Sequence, residues 1–308
     1  MYSDLRTPVT FIFFNRLDTT KCVFEEIRKV RPAKLYLVAD APRRGRDDDI
    51  EKVKETREYV ESRIDWPCEV NRNYAESNMG CKLRISSGLS WVLSIEEETI
   101  VLEDDVVPRK EFFFFCQQML NKYRNVDKIM MISGTNLIRN CKKKESYYFS
   151  YFSSIWGWAT WRRAWEKYDP EMKDWPNVRK HWKLWSIQPG LSYLFLVWNM
   201  NYVYRKEMDT WDFIWDYARY RNRGLGVVPN ANLIKNIGFN REDAVHTKGS
   251  VNEDFSYGEI VLPIKEDREI SRDKEYDSKY IKKNYPASKA FCILIKKVVH
   301  KVIRTKRK

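Results

Sequence analysis

The sequence is poor in the residues that announce many ligand sites. It has three histidines, and its six cysteines (Cys22, Cys68, Cys81, Cys116, Cys141 and Cys292) form no CxxC pair. That spacing argues against a zinc module or a thioredoxin-like site. Glycine is absent from PVTFIFFNRLDT, the stretch around the first apolar run, where a nucleotidyltransferase usually carries a glycine-rich phosphate loop. No apolar run reaches the roughly 18 residues of a transmembrane helix. The start, MYSDLRTPVTFIFFNRLD, lacks the basic, apolar and small-residue order of a signal peptide. A reducing, cytoplasmic setting is therefore the expectation.

What is present fits a folded globular chain. Hydrophobic residues make up 43% of the 308, aromatics 15% and charged residues 32%, enough to fill one large α/β domain or two small ones. The net charge of +13 is unevenly spread, because Pro286 to Lys308 holds eight Lys or Arg and no acid. The body keeps about +5, too little for nucleic-acid binding to be expected.

Strand-like and helix-like runs alternate through the first half. Strands are predicted at Val9–Phe14, Lys34–Ala39, Cys68–Asn73, Thr99–Leu102 and Lys128–Ser133. Helices are predicted at Thr19–Val30, Ile50–Ile64, Cys81–Leu93 and Phe112–Tyr123. This order predicts a mostly parallel sheet with helices on both faces and a ligand site at the carboxyl ends of the strands. The residues just past those ends are Asn15, Arg16, Asp40, Glu103, Asp104 and Asp105.

In the second half, ten of the twelve tryptophans lie between Trp156 and Trp215. No repeat or Gly/Ser/Pro linker interrupts the chain, so one catalytic domain is expected to about residue 262, with a donor half to about 135 and an acceptor half beyond. Lys265–Asn284 is strongly charged and expected to be mobile.

IVLEDDVVP sets three carboxylates directly after an apolar strand. Side-by-side burial of like charge calls for a cation, which makes Glu103–Asp105 a natural site for Mn²⁺ or Mg²⁺. The earlier triplet Asp47–Asp49 is read as merely opening the helix that follows. Asp40 reads either as an acceptor for a nucleobase or ribose or as a turn residue, and the Arg16 guanidinium could reach a phosphate. Asp212 and Asp216 are four apart on one helix face and could supply a general base, while Trp211 and Trp215 share that spacing as core residues would. His246 follows NIGFNREDAVHT, which could fold back toward the metal. The aromatic block offers flat faces for sugar rings, with Trp156, Trp158 and Trp211 as acceptor candidates, although large aromatics are core material first. The tail SKAFCILIKKVVHKVIRTKRK pairs an apolar stripe with a basic face, the pattern of a helix lying on an anionic membrane.

These motifs together resemble the inverting GT-A glycosyltransferases related to N-acetylglucosaminyltransferase I, particularly bacterial ones encoded among surface-polysaccharide enzymes. The resemblance spans roughly residues 8 to 247 and rests on FNR, Asp40, NMGCKLRISSGLSWV, LEDDVVP with FFFF beyond it, WGWATW and WDFIWD. It implies a Rossmann-like nucleotide-diphospho-sugar transferase fold. By resemblance, Arg16 would contact the donor diphosphate, Asp40 would read uracil, Asp104 would contact ribose, and Asp105 would be the direct protein ligand of Mn²⁺. Glu103 would lie beside the donor sugar and Asp212 would be the catalytic base. The family's histidine on the helix before the acidic strand has no counterpart here, so Lys82 and Arg84 are candidates for the diphosphate.

The expected function is transfer of a sugar, GlcNAc or another hexose, from a UDP-sugar to an acceptor hydroxyl with inversion. The acceptor would be a glycan or glycolipid, and the setting the inner face of the plasma membrane. The rival readings are a sugar nucleotidyltransferase and a non-enzymatic, membrane-peripheral carbohydrate-binding protein.

Overall fold

A computed structural model describes residues 4–138, 145–239, 241, 256–260, 264 and 269–286. His246 and nearly all of the basic tail lie outside them.

The chain runs β1 (Val9–Phe13), α1 (Leu17–Val30), β2 (Lys34–Ala39), α2 (Asp47–Ser62), β3 (Glu69–Tyr74), α3 (Gly80–Ile95), β4 (Glu98–Glu103), β5 (Val106–Pro108), α4 (Lys110–Tyr123) and β6 (Ile129–Ser133). Then follow β7 (Tyr147–Ser150), β8 (Trp158–Trp161), α5 (Arg162–Trp165), α6 (Trp175–Lys180), α7 (Leu191–Tyr204), α8 (Asp212–Arg221), β9 (Leu225–Pro229), β10 (Ile234–Asn236) and α9 (Lys274–Asn284).

Eight strands form one mixed sheet in the order β3-β2-β1-β4-β8-β6-β9-β7, and β5 pairs with β10 in a small antiparallel ribbon. The period-2 pattern sorts side chains to the two faces. Val9, Phe11 and Phe13 of β1, with Leu35, Leu37 and Ala39 of β2, pack with α1 and α4. Ile12, Tyr36 and Val38 point the other way, onto Ile85, Leu89 and Val92 of α3 and Trp215 of α8. Helices thus cover both faces, as the alternation predicts. The parallel pairs β1–β2, β2–β3, β1–β4 and β6–β9 carry the sheet, and β8 enters antiparallel between β4 and β6.

The connections leave β1 in two directions, toward β2 and β3 on one side and β4 on the other. The crevice at the carboxyl ends of β1 and β4 is therefore a topological switch point, where α/β sheets bind ligands.

The expectation of a mobile charged segment is corrected over 274–284, and the packed unit extends past 262. Asp273 caps α9 by accepting from Tyr276 N at 2.9 Å. Tyr276 is fully buried with its ring 4.6 Å from that of Tyr148, and Asp277 takes a hydrogen bond from Ser150 and a 2.5 Å contact from Arg272. Apart from the buried Asp277, the charges of α9 lie away from its packed face, which hides its buried stripe from a composition reading.

Candidate active site

Two strand ends meet across the switch point. Arg16, in the turn after β1, donates to Asp104 Oδ1 at 2.5 Å and to Asp105 Oδ2 at 3.2 Å, both just past β4. The backbone N of Phe14 adds a 3.4 Å contact to Asp104 Oδ2. Burial raises the Asp104 carboxyl to about 6 even though Arg16 pulls it down. Burial, joined by repulsion from Asp105, Asp104 and Asp212, lifts Glu103 to about 8. The guanidinium thus leaves the negative potential of the cluster incompletely compensated, and a cation or a proton is needed to balance it.

Asp40 follows β2 and its carboxylate is heavily engaged. It accepts from Ala41 N at 2.9 Å, Met79 N at 2.9 Å, Gly80 N at 2.9 Å and Asn78 Nδ2 at 3.2 Å. It therefore fixes the entrance to α3, where Gly80 adopts φ +74°, a conformation that favours glycine. Arg57 holds the Asp40 carbonyl at 2.9 Å. Lys82 lies in the first turn of α3, half-buried. Arg84 is buried and donates to Asn73 Oδ1 at 2.9 Å, so its guanidinium braces β3 on the Asp40 side instead of turning to Asp105.

Asp49 is a correction. Beyond opening α2, its fully buried side chain accepts from Asn15 Nδ2 at 2.7 Å and from Arg43 Nε and Nη2 at 2.5 and 2.8 Å. It ties together the loops after β1 and β2, which carry Arg16 and Asp40. The Arg43 guanidinium holds the Asp49 carboxyl down at about 2. An acidic triplet gives no sign of which member turns inward.

Asp212 opens α8 across the crevice from the acidic turn, near enough to raise Glu103. Its Oδ1 accepts from Thr210 Oγ1 and from Phe213 N at 2.9 Å. Cys81, at the start of α3, lies in the same field: crowding and then Glu103, Asp212, Asp209 and Asp104 push its thiol well up. Asp216, one turn along α8, is paired instead with Arg219 at 2.5 Å.

Two acceptor candidates are corrected. Trp158 is fully buried and stacks on Trp211 with centroids 5.7 Å apart, and Trp211 also meets Trp165 at 6.4 Å. Both belong to the core between α3 and α8 and offer no open face to a sugar. Trp156 is half-buried, with its ring 5.2 Å from Phe239.

The segment after β10 closes one side of the acidic turn. Ile237 N donates to the Asp105 carbonyl at 2.8 Å, and a Cβ added at Gly238 would stand 2.2 Å from Asp105 Oδ2. The bare backbone at Gly238 lets the carboxylate sit there. Sequence reading directed this segment toward the metal site through His246, which lies outside the described residues, but it missed the close approach of Gly238 to Asp105.

Among the described residues, no group of three or more His, Cys, Asp or Glu is arranged to hold a metal alone. The residues nevertheless fit a divalent ion shared with phosphate, which needs one or two carboxylates and a surplus of negative charge.

No protein-family model and no curated protein matches the chain. Several solved structures resemble it at low identity. Residues 1–349 of TarS from S. aureus match at 11% identity over 73% of this chain and 58% of that one, with a TM-score of 0.40. GalNAc-T7, solved with UDP, GalNAc and Mn²⁺, matches at 12% over 74% and 43%, with a TM-score of 0.46. The mannosyltransferase PcManGT from Pyrobaculum calidifontis, solved with GDP-Man and Mn²⁺, matches at 11% over 54% and 48%, with a TM-score of 0.34. This chain spans about half the length of these proteins. With scores below 0.5, none of them decides the family or the activity.

Proposed function

We propose that the chain is a metal-dependent GT-A glycosyltransferase that moves a sugar from a UDP-sugar to a hydroxyl of a glycan or glycolipid acceptor with inversion. One observation carries this reading: Arg16 from the turn after β1 and the acids after β4 converge at the switch point, and Asp212 at the start of α8 is near enough to raise Glu103. In this reading the guanidinium and a bound cation would take the anionic diphosphate, and the nearby Asp212 carboxylate would serve the acceptor.

Asp105 would hold the divalent ion together with donor phosphate oxygens, and Arg16 would add a fork toward the diphosphate. The ion, when bound, supplies Lewis-acid stabilisation of charge on the leaving diphosphate. Asp104 would orient the ribose, and the loops anchored by Asp40 and Asp49 would flank the base. Asp212 Oδ1 is occupied by Thr210 and Phe213, so Oδ2 is the oxygen that would take the acceptor proton as the hydroxyl attacks the anomeric carbon. Attack from the side opposite the diphosphate inverts that carbon. Surface-glycan assembly at the cytoplasmic face of the plasma membrane is the setting that joins this chemistry to the basic tail.

The test is Mn²⁺-dependent hydrolysis of UDP-sugars and UDP binding by purified protein. Absence of both would sink the reading. Asp212→Asn should abolish transfer and spare UDP binding, and surviving transfer would remove Asp212 from the base role.

A further inference from the structure

Helix α7 carries two apolar stripes and no charged residue. One stripe, with Tyr193, Leu196, Met200 and Val203, is buried in the core shared with α6, α8 and α9. The other runs through Leu191, Phe195, Trp198 and Tyr202, at the i, i+4, i+7, i+11 spacing of a single helix face, and is half-buried to exposed. At its N-terminal end Trp182 and Trp185 are 55% and 42% exposed; Trp182 stacks on Tyr193 with centroids 5.1 Å apart, and Trp185 meets the same ring edge-on at 5.3 Å. Trp182 sits at φ 53°, a left-handed conformation that costs an indole-bearing residue about 1 kcal/mol.

The charge at the tryptophan end of this face is positive, whereas Arg205 and Lys206 at the far end of α7 are paired with Glu207 and Glu171. From Trp175 to Lys206 there is no acid and there are five Lys or Arg, with exposed Lys180 and Lys183 flanking Trp182. Arg223 adds a guanidinium by donating to the Lys183 carbonyl at 2.9 Å. The acid-free tail also departs here, since Tyr285 lies 5.0 Å from Phe195 just before the chain leaves the described residues.

We propose that the outward face of α7, with Trp182, Trp185, Lys180 and Lys183, docks the folded domain onto an anionic lipid bilayer. Aromatic rings at headgroup depth with flanking lysines are the chemistry of that interface. The docking face is separate from the sugar-transfer reading and stands whether or not that reading holds.

The experiment is cosedimentation of the full chain with sucrose-loaded vesicles of phosphatidylcholine alone or mixed with phosphatidylglycerol. Wild type should partition onto the mixed vesicles and stay largely free of the neutral ones. Trp182→Asn with Trp185→Ser, and separately Lys180→Glu with Lys183→Glu, should each lower that partition about fivefold or more. Lys180 and Lys183 are exposed, so melting temperature should hold in the charge variant, which keeps the test valid even if loss of the two rings over Tyr193 lowers it in the other. Both variants leave the tail intact, so wild-type partition in both would assign binding to the tail and overturn the proposal. Failure of wild type to sediment with mixed vesicles, or binding to a soluble polyanion in their place, would overturn it too.

Discussion

Asn15 Nδ2 lies 2.7 Å from Asp49 Oδ1, so the residue next to Arg16 is fastened to the first turn of α2. The two are 34 residues apart in sequence, and the bond joins the loop after β1 to α2. It makes the position of Arg16 depend on a carboxylate that never faces the ligand.

Removing that carboxylate should therefore loosen the site before it unfolds the protein. Asp49→Asn keeps one acceptor but loses the ion pair, and because Arg43 is 43% exposed the stability cost should be only about 1 kcal/mol. The folded carboxyl stands near 2, below its ordinary 3.8, so the ionised form stabilises the fold. That contribution is complete above about pH 4 and fades as pH falls toward 2. Urea titrations of wild type and Asp49→Asn should converge as pH drops across this window. A constant gap would reject the ion pair as its source.

Gly238→Ala tests the closure over Asp105. Its Cβ would need the space of Asp105 Oδ2, so the carboxylate must move while the sheet is untouched. Misplacement by about 1 Å can cost on the order of 100-fold in rate, so UDP-sugar hydrolysis should fall at least tenfold with little change in melting temperature. Unchanged hydrolysis would place Asp105 outside the chemistry.

Asp105→Asn should remove the dependence on divalent metal. Wild type with UDP and Mn²⁺ at a hundredfold excess over the dissociation constant should gain about 2.7 kcal/mol of stability, and chelation should abolish the gain. In Asp105→Asn the melting curves with and without Mn²⁺ should coincide. A metal-dependent shift that persists would assign the ion to other residues.

Arg219 is 0% exposed and paired with Asp216, so the pair is expected to behave as a buried ion pair. Asp216→Ala strands the guanidinium and should cost about 3 kcal/mol, the low end for such pairs because Asp216 is 30% exposed. Arg219→Met in that background should recover much of the loss in a denaturant titration. No recovery would mean that Asp216 acts by other means.

Trp158→Ala and Trp156→Ala should separate packing from binding. The first opens a cavity in a closed cluster and should destabilise by about 3–5 kcal/mol. The second should leave stability nearly intact, so an effect on acceptor use at Trp156 would mark a true sugar contact.

Local pattern was enough for the first half of the chain. Apolar alternation with period 2 in VTFIF and KLYLVA, and amphipathic spacing between such runs, placed β1 to β4, β6 and α1 to α4 within a few residues, while the short β5 went unread. The position of Arg16, Asp40 and Glu103–Asp105 at strand ends followed from that order, because a parallel sheet delivers its strand ends to one edge. The tertiary structure decided which of those polar residues turn toward one another. Asp49 turns inward while Asp47 and Asp48 do not, Arg84 goes to Asn73, and Trp158 and Trp211 go to the core. Gly238 and the charged α9 were equally hidden, since a close backbone approach and a one-sided burial have no signature in composition. Spacing along the chain fixes the face on which a side chain stands, but its partner there is set by contacts between segments more than 130 residues apart, such as Asp105 and Gly238, and only the folded chain brings those together.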